Sequence, residues 1–113
     1  MNTKFQNKEE WKESYELVLA TYELMGKGPK EEYENPFSLS NEIKNTVIGI
    51  PSKLSAGYEL GGDFLTENLM EARGLLVKLE YLLTVAAEMN LVETVETEKL
   101  IKRARDVWEL LIE

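Results

Sequence analysis

The sequence predicts an all-α protein: an antiparallel up-down four-helix bundle with a Pro-kinked second helix, forming one domain over residues 1–113. Apolar residues recur at intervals of three and four in four blocks, and no segment shows the sustained alternation of a half-buried strand. Segments rich in glycine, proline and polar residues separate the blocks, as turns between helices do. The predicted helices span residues 8–26, 38–59, 63–90 and 94–112.

The first predicted helix has one apolar stripe, which we expect to face the core. This stripe comprises Trp11, Tyr15, Val18, Tyr22 and Met25. Gly26 is expected to end the helix, because glycine is common just after a helix C-terminus. Residues 26–36 contain two glycines, two prolines and a cluster of charges, and we expect them to form a loop.

The second predicted helix begins near Ser38 or Ser40, either of which can cap it. Its apolar positions have regular helical spacing up to Leu54. Pro51 lacks a backbone N–H and its ring clashes with the preceding turn. The sequence therefore predicts a kink or a short break near Gly49.

The third predicted helix is apolar on two opposite faces. After a turn at Gly61 and Gly62 and a cap at Asp63, one face carries a strict four-three seam for the core, namely Leu65, Leu69, Ala72, Leu76, Leu79, Leu83 and Ala86. The other face carries Met70, Gly74, Val77, Tyr81 and Val85. Because a helix that is apolar on two faces is usually buried on both, these five residues are the candidate interface for self-association. On the core side, Glu80 borders the seam and is expected to pair with a basic group.

The fourth predicted helix has a possible cap at Thr94, one apolar face and one charged face. Its basic residues Lys99, Lys102, Arg103 and Arg105 lie between acidic residues. One interpretation is helix electrostatics, with pairs such as Glu98 with Lys102 and Arg105 with Glu109. The alternative is a surface that contacts phosphates.

Composition excludes most familiar catalytic sites. The chain has 113 residues, no cysteine and no histidine, and a formal net charge of -8. Thiolate and histidine metal sites, cysteine nucleophiles and Ser-His-Asp triads are therefore absent. Neither a phosphate-binding glycine motif nor an EF-hand loop is present. We expect a non-enzymatic, acidic, cytoplasmic protein without a cofactor, a metal or a membrane span.

Several local patterns resemble a small bacterial four-helix-bundle family. The family includes the 23S rRNA intervening-sequence proteins and the accessory variability determinant (Avd) of diversity-generating retroelements. The resemblance lies in the opening EEWKESYELVLATYEL, in Pro29-Lys30-Glu31-Glu32, in Ile50-Pro51 with Leu54 and Gly57, and in residues 64–83. The chain departs from the family pattern at Lys44-Asn45, where two arginines are common, and at Lys53 and Ala56.

The resemblance implies a protomer that assembles into a homopentamer, and an association with RNA or with a reverse transcriptase. Two hypotheses follow: an oligomeric protein-interaction scaffold, or an accessory protein associated with a nucleic acid or a reverse transcriptase. An acidic protein binds nucleic acid only where basic residues gather on one face. The candidate nucleic-acid residues are Lys44, Lys53, Lys99, Lys102, Arg103 and Arg105.

Overall fold

The computed structural model describes residues 5–30 and 34–112, and none of these residues lies in a strand. The long helices are α1 (Glu9–Gly26), α2 (Leu39–Leu60), α3 (Gly62–Glu88) and α4 (Thr94–Leu111). Helices α2 and α4 each pack against both α1 and α3. The four helices thus enclose one core in a molecule of 42 × 24 × 22 Å, which confirms the all-α fold class and the bundle packing.

The core follows the predicted seam of α3. Five of its seven positions are buried, and the first two are half-buried. The buried positions are Ala72, Leu76, Leu79, Leu83 and Ala86. They pack with fully buried side chains of the other helices, such as Leu17, Ile43 and Val107. These contacts remove apolar surface from water and thereby hold the bundle together.

The buried stripe of α1 differs from the predicted one. Tyr15 and Tyr22 are exposed and Trp11 is half-buried, whereas Ser14 and Thr21 are fully buried. The Ser14 hydroxyl is satisfied within its own helix, because Ser14 Oγ donates to Trp11 O at 2.8 Å, whereas the Thr21 hydroxyl has no hydrogen-bond partner in the described chain. The predicted stripe is therefore correct at Val18 and Met25, which are buried, and wrong at Tyr15 and Tyr22, because the buried face is rotated by about one residue.

Helix α2 begins as predicted at Ser38, whose Oγ accepts a hydrogen bond from the Asn41 N–H at 3.2 Å. The helix is continuous through Gly49 and the buried Pro51, so the predicted break is absent. Near the proline, Ser55 Oγ donates to Pro51 O at 2.7 Å and accepts from Trp11 Nε1 at 2.9 Å. This relay ties the start of α1 to the second half of α2.

The α2–α3 connection is a single residue, Gly61. Both Gly61 and Gly62 have positive φ, at 68° and 56°, which other residues rarely adopt. The predicted cap Asp63 was wrong: Gly61 is the N-cap of α3, and Asp63 lies inside the first turn. Its carboxylate there still interacts favourably with the helix dipole.

The predicted end of α3 and the predicted cap of α4 also differ from the structure. Helix α3 ends at Glu88 because Asn90 takes φ 60° and the N–H groups of Asn90 and Leu91 bond back to Ala87 O and Ala86 O. At α4 the N-cap is Glu93, and Thr94 is the first helical residue rather than the cap.

The predicted loop over residues 26–36 is helical at Lys30 and Glu34, whose side chains form an ion pair at 3.6 Å. Glu31 and Glu32, part of the family-like Pro29–Glu32 pattern, lie outside the described residues. The expectation of a loop without helix is therefore wrong at Lys30 and Glu34.

Candidate interaction surfaces

Four of the five candidate interface residues of α3 are exposed, on the side of the helix opposite the core. Met70, Val77 and Tyr81 are 60%, 59% and 67% exposed. Gly74 is also exposed, and Val85 is half-buried. We call Met70, Gly74, Val77, Tyr81 and Val85 the α3 stripe. In the single chain the apolar atoms of the α3 stripe are in contact with water. Exposing a group of neighbouring apolar side chains to water costs free energy.

Gly74 has no structural requirement within the single chain. A Cβ added at Gly74 would meet nothing within 4 Å. By contrast, a Cβ at Gly57 would lie 3.0 Å from Asn68 Cβ, where α2 and α3 come together. Glycine inside a helix costs about 1 kcal/mol relative to alanine. Gly74 therefore lowers helix stability without relieving any contact inside the bundle.

Ion pairs join α3 to its neighbours on both flanks of the stripe. They join exposed or partly exposed side chains of α3 to side chains of α2 and α4, and the stripe itself contains no charged residue. On the α2 side the pairs are Lys53 with Glu71 at 2.8 Å and Lys78 with Glu42 at 2.7 Å, and on the α4 side Arg105 with Glu80. The Arg105–Glu80 pair confirms the predicted basic partner for Glu80.

The six candidate nucleic-acid residues do not form one free basic face. Four of them are bound to carboxylates: Lys53 to Glu71, Lys99 to Glu96 at 3.2 Å, Lys102 to Asp106 at 2.9 Å, and Arg105 to Glu80. Lys44 instead lies over the ring of Tyr22, 5.7 Å from its centroid. Arg103 is half-buried and lines a groove between α1 and α4. The predicted pairs of Lys102 with Glu98 and of Arg105 with Glu109 are replaced by those with Asp106 and Glu80.

A second exposed apolar surface, which the sequence did not predict, lies between α1 and α2. Tyr15, Leu19 and Tyr22 project from α1, and Ile48 projects from α2. We call these four residues the α1–α2 surface. Half-buried Trp11 extends it, since its ring stacks on Tyr15 with a centroid distance of 5.4 Å. The signal in the sequence was the apolar residue Leu19 outside the predicted stripe of α1.

A tyrosine with a raised pKa lies at the same junction of α1 and α2. The Tyr58 hydroxyl donates a hydrogen bond to Glu10 Oε2. Burial raises the pKa of the Tyr58 phenol well above its ordinary value of 10.0, and the hydrogen bond and negative charge of Glu10 raise it further. Lys8 Nζ lies 5.3 Å from the ring centroid of Tyr58. The group stays protonated at neutral pH, and its role is to link the helices.

The concave regions do not assemble a reactive group. A cavity of about 570 Å³ lies where α1 ends and the α3–α4 connection begins, and Leu24, Lys27 and Asn90 contribute to its wall. A groove of about 260 Å³ between α3 and α4 is lined by Val77, Trp108 and others. No group of three or more Asp or Glu residues among residues 5–30 and 34–112 is placed to hold a metal ion.

The sequence matches no protein-family model and no curated protein. Within the part of the chain that the structure describes, no helix combines the length and apolar character needed to cross a membrane.

Proposed function

We propose that the protein is a non-enzymatic cytoplasmic scaffold that assembles into a homo-oligomer through the α3 stripe. The observation that carries this proposal is the row of exposed apolar residues opposite the core of α3, with Tyr81 67% exposed. Burying such a row against a second copy gains about 25 cal/mol for each Å² of apolar surface removed from water. The pentameric state is taken from the resemblance to the intervening-sequence and Avd-like family.

Two further features support a contact of α3 with a second copy. Gly74 lets another backbone or a large side chain approach at the middle of the stripe, which accounts for a glycine that the single chain does not need. The ion pairs on each flank neutralise Glu71, Lys78 and Glu80, which lowers the cost of packing a partner over the middle of the stripe.

We also propose that the four helices run up and down in an antiparallel bundle, with a bend in α2 at Pro51. Contacts of Trp11 with Ser55 and of Tyr22 with Lys44 support an antiparallel α1–α2 pair. Ion pairs join Lys53 to Glu71 and Lys78 to Glu42, which supports the same relation between α2 and α3. An up-down bundle with a bend at Pro51 accommodates both.

The test is the mass of the protein by light scattering after size exclusion, at low and at high salt. We expect wild-type protein near five times 13.0 kDa at both salt concentrations. The double variant Val77→Glu/Tyr81→Glu is expected at 13.0 kDa with unchanged helical circular dichroism. The matched control Met89→Glu/Val95→Glu changes two similarly exposed apolar residues at helix ends and keeps the wild-type mass. Monomeric wild-type protein, or a Val77→Glu/Tyr81→Glu variant of wild-type mass, contradicts the proposal.

The second candidate is an accessory protein that binds RNA or a nucleic-acid-bound reverse transcriptase. Its basis is the family resemblance. The ion pairs favour the scaffold instead, because carboxylates already bind four of the side chains that would contact phosphates, namely Lys53, Lys99, Lys102 and Arg105. Fluorescence anisotropy with a mixed-sequence RNA separates the two. Binding that weakens steeply with salt, and that Lys102→Glu/Arg103→Glu abolishes, favours the accessory protein. An unchanged anisotropy at low salt favours the scaffold.

A further inference from the structure

The methionines are the only sulfur-containing residues of the chain, and two of them differ in position but not in exposure. The sequence has four methionines and no cysteine. Met70 and Met89 are each 60% exposed, whereas Met25 is buried in the core. Met1 lies outside the described residues. Met70 belongs to the α3 stripe, and Met89 lies just after the last residue of α3. One exposed thioether is therefore inside the candidate interface, and the other is outside it.

We propose that Met70 is an oxidation site through which a peroxide controls the assembly of the protein. This inference rests on the proposed self-association through the α3 stripe, and it adds the regulation of that contact. Hydrogen peroxide transfers one oxygen atom to the thioether: the S–O bond forms, the O–O bond breaks, and the peroxide leaves as water. The sulfur loses two electrons to the peroxide and becomes a sulfoxide, so the apolar side chain becomes polar.

A sulfoxide at Met70 opposes burial of the stripe. The unoxidised side chain is apolar and adaptable, and it packs readily against another surface. The sulfoxide oxygen is hydrated while Met70 is exposed, and packing the stripe removes this water, which costs free energy. Oxidation therefore weakens association, whereas the exposed side chain of the single chain accepts the change without disturbing the core.

The residues one helical turn from Met70 do not remove this cost. Glu67 only accepts hydrogen bonds and Gly74 has no side chain, whereas the exposed Thr66 and the half-buried Arg73 carry donors. Arg73 forms no salt bridge within the described part of the chain. A hydrogen bond from its guanidinium to the sulfoxide adds a polar pair to the edge of the stripe. A second copy that covers the stripe must then desolvate this pair.

Oxidation and assembly compete for the same side chain. Peroxide is small enough to react with a side chain on an intact helix, so the reaction requires exposure but no unfolding. When the stripe is covered, the thioether of Met70 is protected. Each process therefore opposes the other by mass action. Methionine sulfoxide reductases reverse the change with electrons from a dithiol, and the apolar side chain is restored.

Peroxide treatment of the full chain at two protein concentrations tests the accessibility of Met70. In dilute protein, where the protomers are dissociated, peptide mass spectrometry is expected to find Met70 and Met89 oxidised at similar rates, because they are equally exposed. In concentrated protein Met70 is expected to react more slowly and Met89 at an unchanged rate. The dose is kept below the level that oxidises the buried Met25, and circular dichroism checks that the fold is retained.

Light scattering over a series of protein concentrations measures the effect on association. The concentration at which half of the chains are dissociated is expected to rise by about tenfold or more when Met70 is oxidised, and to return after treatment with the reductases and a dithiol. Met70→Leu is expected to associate normally and to be insensitive to peroxide, whereas the matched control Met89→Leu keeps the sensitivity of wild type. Met70→Gln, which introduces a polar group of similar size, is expected to weaken association without peroxide, and Met89→Gln is not.

The outcomes separate this inference from the proposed function. If untreated wild-type protein is an oligomer and oxidation of Met70 leaves its dissociation unchanged, the inference is overturned, while the result of the Val77→Glu/Tyr81→Glu test stands. An equal loss of association in peroxide-treated Met70→Leu and wild type also overturns it, because another group is then responsible. Monomeric untreated wild-type protein overturns the proposed function itself, and this inference with it.

Discussion

Alanine substitutions at Gly57 and Gly74 are expected to change stability in opposite directions, although both glycines lie inside helices. Gly57 is buried in α2, and an added Cβ would lie 3.0 Å from Asn68 Cβ and 3.4 Å from the backbone Cα of Leu65. Gly74 faces open space on α3. The two sites share the gain in helix propensity and differ only in packing.

The magnitudes follow from these two terms. Replacing an interior helical glycine by alanine gains about 1 kcal/mol. Inserting a carbon into a packed site costs about 1–3 kcal/mol, and here backbone as well as side-chain atoms must move. We therefore expect Gly74→Ala to raise the free energy of unfolding by about 1 kcal/mol, and Gly57→Ala to lower it by about 1 kcal/mol. In a domain of this size each shift corresponds to about 4 °C in Tm.

The assay is urea unfolding followed by far-UV circular dichroism. Both substitutions are made in the Val77→Glu/Tyr81→Glu background, because association of the folded state would otherwise add to the measured stability. Equal slopes of free energy against urea concentration show that the variants unfold from comparable folded states. If both alanine variants are more stable than the background, the close approach of α2 and α3 at Gly57 is refuted.

Three further predictions concern single polar groups. Tyr58→Phe removes the hydrogen bond to Glu10 and lowers stability at neutral pH. The pKa of Tyr58 is raised in the folded state, so the protonated phenol stabilises that state fully below pH 10.0, and this contribution is lost as the pH rises further. In thermal melts from about pH 9 to about pH 11, the Tm of the variant should therefore approach the Tm of wild type. A Tm difference that stays constant over this range contradicts the prediction. Ser38→Ala removes the side-chain acceptor for the Asn41 N–H and should cost about 1 kcal/mol in urea unfolding, whereas unchanged stability argues against the cap. The buried Thr21 hydroxyl has no hydrogen-bond partner in the described chain, so Thr21→Val should raise Tm by a few degrees, and a lower Tm would point to a bond through Oγ1.

The parts of the fold that the sequence predicted well are those with a strong apolar period. The seam of α3 is leucine-rich with strict spacing, and its phase is correct from Ala72 to Ala86. The exposure of Met70, Val77 and Tyr81 on the other side follows from the same phase. Helix ends were harder because they depend on local backbone geometry, such as the left-handed Asn90 that stops α3 before its predicted end.

In α1 the apolar pattern predicted the wrong helix face, because large aromatic residues are exposed there and small hydroxyl residues are buried. The period of Trp11, Tyr15 and Tyr22 is as regular as that of the residues that are buried. Ser14 and Thr21 count as polar in any apolar pattern, yet both are fully buried. Since Tyr15 and Tyr22, two of the four residues of the α1–α2 surface, were assigned to the core by this error, the misplaced phase concealed half of that surface.

The single-residue connection between α2 and α3 has a consequence for the order of folding. Contacts between residues close in sequence cost little loop-closure entropy, and Lys53 and Glu71 are brought together across the tight glycine turn. The packed pair of α2 and α3 is therefore the part of the chain expected to form earliest, with α1 and α4 docking onto it afterwards. Substitutions at Gly61 or Gly62 should slow refolding more than they accelerate unfolding.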